Sequence, residues 1–142
     1  MRIQIKNLQK IKRINLSDLK KKIKKILDYT GLSKKGISFV FCDNKLIKKI
    51  NKDYLRKEYP TDVITFPLED IYFKDSLGEI IISVEEAAKN AEIYKKDFGV
   101  ELLLYVIHGI LHLTGYNDTT KKEREKMREK EEELLEYADP RS

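Results

Sequence analysis

The chain has 142 residues, which suits one domain with its own core and leaves no room for a second. Its single cysteine, Cys42, excludes an internal disulfide framework, and its charged start does not resemble a secretory signal, so we expect a cytoplasmic protein. The longest apolar stretch, residues 102–113, is shorter than the roughly 18 residues that a membrane span needs, and we expect no membrane partner.

The formal net charge of +5 hides an asymmetry between the two parts of the chain. Residues 1–57 carry 18 lysines and arginines against 4 acidic residues, whereas residues 58–142 carry 11 against 20. A basic segment of this strength attracts polyanions, and nucleic acid is the candidate that it favours. The run KKKIKK at residues 20–25 also suits the solvated face of an ordinary helix, so composition alone leaves both interpretations open.

The N-terminal residues predict a strand followed by a helix. Residues 2–8 alternate isoleucine with polar neighbours, which is the period of a half-buried strand. The helix that follows has Ser17 as its expected N-cap and Gly31 as its closing residue. Its apolar stripe at helical spacing is formed by Leu16, Leu19, Ile23, Ile26 and Leu27. This face is therefore expected to pack on the sheet.

A second strand and a second helix are predicted next. Residues 36–42, GISFVFC, are rich in β-branched and aromatic side chains, which is typical of a strand. Either Asp43 or Asn44 caps the helix, which ends before Pro60 because the residue before a proline is pushed out of the α region. The side chains expected to face inward are Leu46, Ile47, Ile50 and Tyr54.

The second half of the chain begins with two more strands, over residues 62–66 and 78–84. Ser83 and Glu86 form a predicted capping box for a helix that stops at Gly99. An apolar helix follows, and a last amphipathic helix completes the chain. Gly115 is expected to end the apolar helix. Thr120 and Glu123 form a second predicted capping box at the start of the last helix, which runs to about Tyr137.

The order β-α-β-α-β-β-α-α-α predicts an α+β fold. We expect a single domain over residues 1–142, with a four-stranded mixed sheet and about five helices packed on it. A metal site is expected on the apolar helix of the C-terminal half and on the turn that follows it.

The two histidines of the chain lie four residues apart on that apolar helix. Residues at this spacing project from one face, so the imidazoles of His108 and His112 can bind one metal ion. Gly115 tolerates a positive φ, and the turn can return Asp118 as a third ligand. Three protein ligands leave one tetrahedral position open, which is the pattern of a catalytic zinc site. The alternative is a pair of structural histidines.

The residue after the first histidine bears on the reaction class. Metalloproteases of the HExxH kind use a glutamate there as general base, whereas this chain has Gly109. A protease would therefore lack its base. A metal ion can still activate a water molecule and stabilise charge on a phosphoryl oxygen.

Three segments of the chain resemble the YbeY family of endoribonucleases, small bacterial proteins of ribosomal RNA maturation. HGILHLTGYND at residues 108–118 is similar to the family's HGxLHLxGYDH. INKDYLRKEYPTDVITFP at 50–67 is similar to LNxxYRxxDxPTDVLSFP, and LGEIIIS at 77–83 is similar to LGDIxIS. The family's third histidine falls on Asp118, and its arginine falls on Leu55, with Arg56 one place later.

The resemblance implies a metal-dependent, single-strand-specific endoribonuclease that acts in small-subunit ribosomal RNA processing and in ribosome quality control. It implies one zinc ion or another divalent metal per chain, held by His108, His112 and Asp118 in a cleft beside a basic surface. The expected partners are single-stranded RNA and the small ribosomal subunit, and no DNA. The nucleophile, metal-bound water or a ribose 2′-hydroxyl, stays open.

We expect Arg56, His108 and His112 to be the catalytic residues. Arg56 would hold a phosphate through its planar guanidinium, and the alternative is a solvent-facing arginine at a helix end. Two alternative functions stay open: a non-catalytic ribosome-assembly binding factor stabilised by a metal, and a metallopeptidase. Among residues near the motifs, Asp62 is expected to cap a turn, and Glu101, on the face of His108, can support the metal ligands.

Overall fold

The computed structural model describes residues 3–55, 61–67 and 75–140. Within these ranges the chain forms four strands: β1 (Ile3–Asn7), β2 (Gly36–Cys42), β3 (Val63–Pro67) and β4 (Ser76–Ser83). It also forms five helices: α1 (Leu16–Tyr29), α2 (Asn44–Leu55), α3 (Val84–Ile93), α4 (Phe98–Leu113) and α5 (Lys121–Ala138). None of the described helices is long and apolar enough to cross a membrane.

The strands form one mixed sheet in the order β1-β2-β4-β3. Strands β1, β2 and β4 run parallel to one another, and β3 runs antiparallel to β4 at the edge. The predicted single-domain α+β fold, with a four-stranded mixed sheet, is therefore confirmed.

The two faces of the sheet carry cores of different size. Helices α1 and α4 cover one face, and α5 packs against both of them. Alternate residues of the central strands point into this larger core, namely Ile37, Phe39, Phe41, Ile80 and Ile82. Helix α2 covers the other face with a smaller cluster, in which Ile47 meets Cys42, Ile64 and Ile81. Helix α4 contacts the sheet, α3 and α5, so its position is fixed by packing.

Most of the predicted helix ends are confirmed. The Asp43 carboxylate accepts a hydrogen bond from the Leu46 backbone N–H at 2.9 Å, so Asp43 rather than Asn44 caps α2. Thr120 and Glu123 form the predicted capping box of α5. Gly31 ends α1 with a φ of +77°.

Four details of the sequence interpretation were wrong. Asn15 and not Ser17 caps α1, because its side-chain oxygen accepts from the Asp18 N–H at 3.0 Å. Ser83 does cap α3, but the Glu86 carboxylate accepts from the Asn44 amide at 2.8 Å and leaves the capping box incomplete.

The other two corrections concern the end of α3 and one side chain of α2. Helix α3 ends at Ile93, well before Gly99, and Asp97 caps α4, which begins at Phe98. Tyr54 is 71 % exposed and does not face inward.

Candidate metal centre

Helix α4 places His108 and His112 one turn apart on its outer face. Ten other residues of the helix are buried, so its rotation relative to the sheet is fixed by packing. The two histidines lie on the part of the helix that remains half-exposed. This placement brings the Nε2 atoms of the two rings within 2.9 Å of each other.

A tight turn after α4 returns the chain to these rings. Gly115 has a φ of +105°, and its N–H donates to the His112 carbonyl at 3.2 Å. The Tyr116 N–H donates to the Leu111 carbonyl at 3.0 Å, which completes a Schellman turn. No atom lies within 4 Å of the place where a Cβ of residue 115 would stand, so the glycine serves the backbone conformation alone.

The turn places Asp118 where a third ligand is needed. Its Oδ2 atom lies 3.5 Å from Nε2 of His108 and 3.3 Å from Nε2 of His112. Zinc ligands at about 2.0 to 2.1 Å in tetrahedral geometry lie roughly 3.3 to 3.4 Å apart. The two Asp118 distances are close to this value and the 2.9 Å between the histidine nitrogens is shorter, so the three atoms could hold one ion. In the described part of the chain no other group of three histidine, cysteine or acidic side chains meets at such distances.

The three ligand side chains face solvent on one side. Their exposed fractions are 28 % for His108, 24 % for His112 and 45 % for Asp118. A structural zinc site is closed by four protein ligands, whereas a catalytic site leaves one position for water or substrate. The observed exposure is that of an open site.

Glu131 of α5 contacts the far side of His108. Its Oε2 atom lies 2.7 Å from Nδ1 of the imidazole. When Nδ1 carries the proton and donates it to this carboxylate, Nε2 is left with a free lone pair directed at the metal position. Nothing in the sequence singles out this residue, because α5 carries seven glutamates.

The acidic surroundings change the protonation of His108. Burial acts to lower the pKa of His108, but the hydrogen bond and charge of Glu131 act against it, helped by the charges of Asp62 and Asp118. The pKa is raised as a result. Protons therefore compete with a metal ion for His108 more strongly than they would at an ordinary imidazole.

A cleft of about 210 Å³ opens beside His108. It is lined by Asp62, Val63, Lys96, Glu101, Leu104, Tyr105, His108 and Glu131. Asp62 caps the start of β3, since its carboxylate accepts from the Val63 N–H at 2.8 Å. Glu101 lines the cleft, and among the described residues no hydrogen bond or ion pair joins it to His108, His112 or Asp118. The candidate site therefore consists of the three potential ligands and this cleft beside them.

Gly109 lies under the metal site, against the sheet. A Cβ built there would lie 2.7 Å from Cγ2 of Ile80, a fully buried residue of β4. No larger side chain fits this position without displacing the Ile80 side chain. The base that an HExxH protease needs is thus excluded by packing as well as by the sequence.

Other residues of the motifs have structural positions. Tyr116 is half-buried and packs against the larger core, and Cys42 is fully buried in β2. Arg56, expected to hold a phosphate, lies outside the described residues, so its role stays a prediction.

Comparison with known proteins identifies the family. The model of the family described as Endoribonuclease YbeY matches residues 4–139. The Endoribonuclease YbeY of Syntrophus aciditrophicus is 39% identical over 141 residues, which cover 95% of this chain and 88% of the relative. That of Chlorobium limicola is also 39% identical, with 95% of this chain and 92% of the relative covered.

A solved structure agrees with this result. The solution structure of a protein from Thermotoga maritima superimposes with a TM-score of 0.71 and 32% sequence identity, covering 96% of this chain and 88% of that one. The family match spans nearly the whole described fold, including the histidine helix and the turn to Asp118. The chain therefore belongs to the YbeY family of endoribonucleases.

Proposed function

We propose that this protein is a metal-dependent endoribonuclease that cuts single-stranded RNA in small-subunit ribosomal RNA maturation and in ribosome quality control. The observation that carries the proposal is the spacing of three ligand atoms, 2.9 to 3.5 Å apart, on a face open to solvent. Family membership supplies RNA as the substrate class. We place the activity in the cytoplasm, in one domain over residues 1–142, with the small ribosomal subunit as partner and no DNA or membrane partner.

One zinc ion per chain is the proposed cofactor, held by His108, His112 and Asp118. A carboxylate oxygen is a normal zinc ligand beside two imidazoles. When bound, a divalent ion supplies a Lewis acid for phosphoryl charge and lowers the pKa of water towards 7. Because Asp118 adds a negative charge where the family pattern has a histidine, other divalent metals should be compared with zinc.

The protein side chains have distinct proposed roles. The two histidines bind as neutral imidazoles, and Glu131 keeps the His108 proton on Nδ1, so that Nε2 stays available. Arg56 is proposed to hold a phosphate of the RNA through paired N–H donors. Exposed lysines on α1 and α2 support the approach of RNA by their positive field: Lys20, Lys21, Lys24, Lys25, Lys45, Lys48 and Lys49.

Two observations disfavour the alternative functions. A non-catalytic binding factor would use a closed metal site, but the three ligand side chains are 24 to 45 % exposed. A metallopeptidase would need a base beside the first histidine, and Ile80 fills the space next to Gly109.

Substrate discrimination tests the proposal. The zinc-loaded protein is incubated with a single-stranded fragment of small-subunit ribosomal RNA, with the same fragment annealed to its complement, and with DNA of the same sequence. We expect cleavage of the single-stranded RNA alone. Equal cleavage of the duplex, cleavage of the DNA, or hydrolysis of casein without any cleavage of RNA would contradict the proposal.

The cleaved ends identify the nucleophile. Fragments that end in a 2′,3′-cyclic phosphate indicate attack by the ribose 2′-hydroxyl, whereas 5′-phosphate ends indicate attack by water. In cells, removal of the gene should leave small-subunit ribosomal RNA precursors unprocessed, and normal processing without the gene would contradict the proposed role in maturation.

A further inference from the structure

Glu101 carries an ionisable side chain that the metal site does not use. The residue is only 8 % exposed, and no described residue donates a hydrogen bond to its carboxylate or forms an ion pair with it. Every fully buried side-chain nitrogen or oxygen among the described residues does have a partner. The Glu101 oxygens therefore reach solvent, and they do so in the cleft beside His108 that this residue lines.

The other two carboxylates of the cleft each have one oxygen in a hydrogen bond. Glu131 bonds to His108, and Asp62 bonds to the backbone at the start of β3. The hydroxyl of Tyr105 accepts a hydrogen bond from the Asn90 amide at 2.6 Å. Glu101 differs from both because it is buried and, among the described residues, neither of its carboxylate oxygens has a hydrogen-bond donor. A carboxylate held with so little access to water gains most from a partner that donates hydrogen bonds.

The charge and size of the cleft limit what this partner can be. Asp62, Glu101 and Glu131 face one lysine, Lys96, so the cleft repels a phosphate group. Its walls include two half-buried apolar side chains, Val63 and Leu104. Its volume of about 210 Å³ is below the range of about 300 to 1,000 Å³ that is common for drug-sized ligands, so it suits a single ring system. These properties fit the base of a nucleotide rather than its backbone.

We propose that this cleft binds an unpaired guanine of the RNA substrate, and that the Glu101 carboxylate accepts hydrogen bonds from N1–H and the N2 amino group of the base. The inference rests on the proposed function, since it supposes that RNA lies at the metal site. Single-stranded RNA is read through the Watson–Crick edges of splayed bases, and carboxylates accept hydrogen bonds from base amino groups.

Guanine is the base whose edge matches a carboxylate. It offers two N–H groups side by side, one for each carboxylate oxygen. Cytosine and adenine place a ring acceptor next to the amino group, and uracil places its N–H between two carbonyls. Each of these three would therefore bring an acceptor close to Glu101, which lowers their affinity relative to guanine.

Binding is measured separately from cleavage, with fluorescent single-stranded oligomers that carry 2′-O-methyl groups to remove the ribose nucleophile. A gel after each titration checks that the strands are intact. Each oligomer holds one guanosine, inosine or adenosine in an otherwise uniform uridine strand. Inosine lacks the N2 amino group but keeps N1–H. For the wild-type protein we expect the affinity to fall about tenfold from guanosine to inosine and further to adenosine.

The isosteric variant Glu101→Gln removes one acceptor and presents a donor to the base. We expect its guanosine-to-adenosine affinity ratio to fall towards 1, with zinc content and the urea unfolding midpoint retained. The matched control is Glu129→Gln, an exposed glutamate of α5, which should keep the wild-type ratio. Equal wild-type affinity for guanosine and adenosine, or a preference that survives Glu101→Gln, would overturn the inference.

Two further outcomes separate this inference from its competitors. If Glu101→Gln removes a second equivalent of bound metal, the cleft holds a cation and the base-binding inference is wrong. If guanosine is preferred but the zinc-loaded protein cuts no RNA, the inference stands and the proposed catalytic function fails.

Discussion

The Nδ1 atom of His108 lies 2.7 Å from Oε2 of Glu131, and this contact ties the last helix to the metal ligands. The contact spans 23 residues of sequence and joins α5 to α4. It keeps the imidazole oriented, so that its other nitrogen faces His112 and Asp118. The candidate metal site is thus built from the C-terminal end of α4, the turn that follows, and the middle of α5.

Replacing this carboxylate should weaken metal binding without unfolding the protein. For Glu131→Gln we expect zinc affinity to fall by about 10- to 100-fold, because the orientation and basicity of His108 depend on the charged acceptor. Zinc titration against a competing chelator measures the change. The neighbouring Glu132→Gln serves as the control, since that side chain is exposed. Equal zinc affinity in the two variants would show that Glu131 has no role in holding the ligand.

The turn at Gly115 can be tested against a second glycine with the same strain. Gly115→Ala and Gly31→Ala both force a side chain into a positive φ, at +105° and +77°, with open space around each Cβ. Both should lose about 1 to 2 kcal/mol of unfolding free energy. Only Gly115→Ala should also lose zinc affinity, because only that turn carries Asp118. A matching loss of zinc affinity in Gly31→Ala would mean that general destabilisation explains the effect.

The contact between Gly109 and Ile80 should limit what position 109 tolerates. A Cβ at residue 109 would meet three side-chain carbons of Ile80 at 2.7 to 3.3 Å. Gly109→Ala should therefore lower the unfolding free energy by about 1 to 3 kcal/mol. The loss should be smaller when measured in an Ile80→Ala background, because the clashing atoms are then absent. Additive effects in the double variant would contradict a direct contact.

Alkaline pH should destabilise the fold through Cys42. Burial raises the pKa of its thiol to about 12, with a smaller contribution from the charge of Asp43. A thiol in the unfolded chain has a pKa of about 8.5. Between this value and the folded pKa, the unfolded state loses a proton that the folded state keeps. The unfolding free energy must therefore fall as pH rises from about 9 towards 12.

Urea unfolding at pH 8 and pH 10.5 measures this effect. The loss of stability between the two values should be smaller in Cys42→Ala than in the wild type. Some loss should remain, because burial also raises the pKa of Tyr105 to about 12. Equal losses in the two proteins would contradict the raised thiol pKa. At pH 8 the native thiol should also react with an alkylating reagent far more slowly than the denatured one.

The parts of the site that the sequence predicted are those set by local geometry. His108 and His112 share a face because they lie four residues apart, and Gly115 and Asp118 follow within one turn. Glu131 and Asp62 approach His108 only through packing between elements, and no local spacing marks them. The residues alone predicted a metal site, and the family resemblance added the prediction of endoribonuclease activity.

The end of α3 is another feature that the sequence did not predict correctly. Gly99 is the expected stop signal of α3, but Lys95 takes the left-handed conformation instead, with a φ of 53°. The Lys96 N–H donates to the Ala91 carbonyl at 2.8 Å and closes the turn. A lysine in this role gives no sequence signal, so the boundary between α3 and α4 could not be placed from the sequence.

We expect RNA cleavage to depend on a metal ion that His108, His112 and Asp118 hold together. The most direct test measures cleavage of single-stranded ribosomal RNA by wild type, His112→Ala and Asp118→Ala, with the metal content of each sample determined by elemental analysis. We expect about one metal ion per wild-type chain together with RNA cleavage, and the loss of both in each variant. A wild-type protein that binds no metal, or that binds metal but cuts no RNA with any divalent ion, would contradict it.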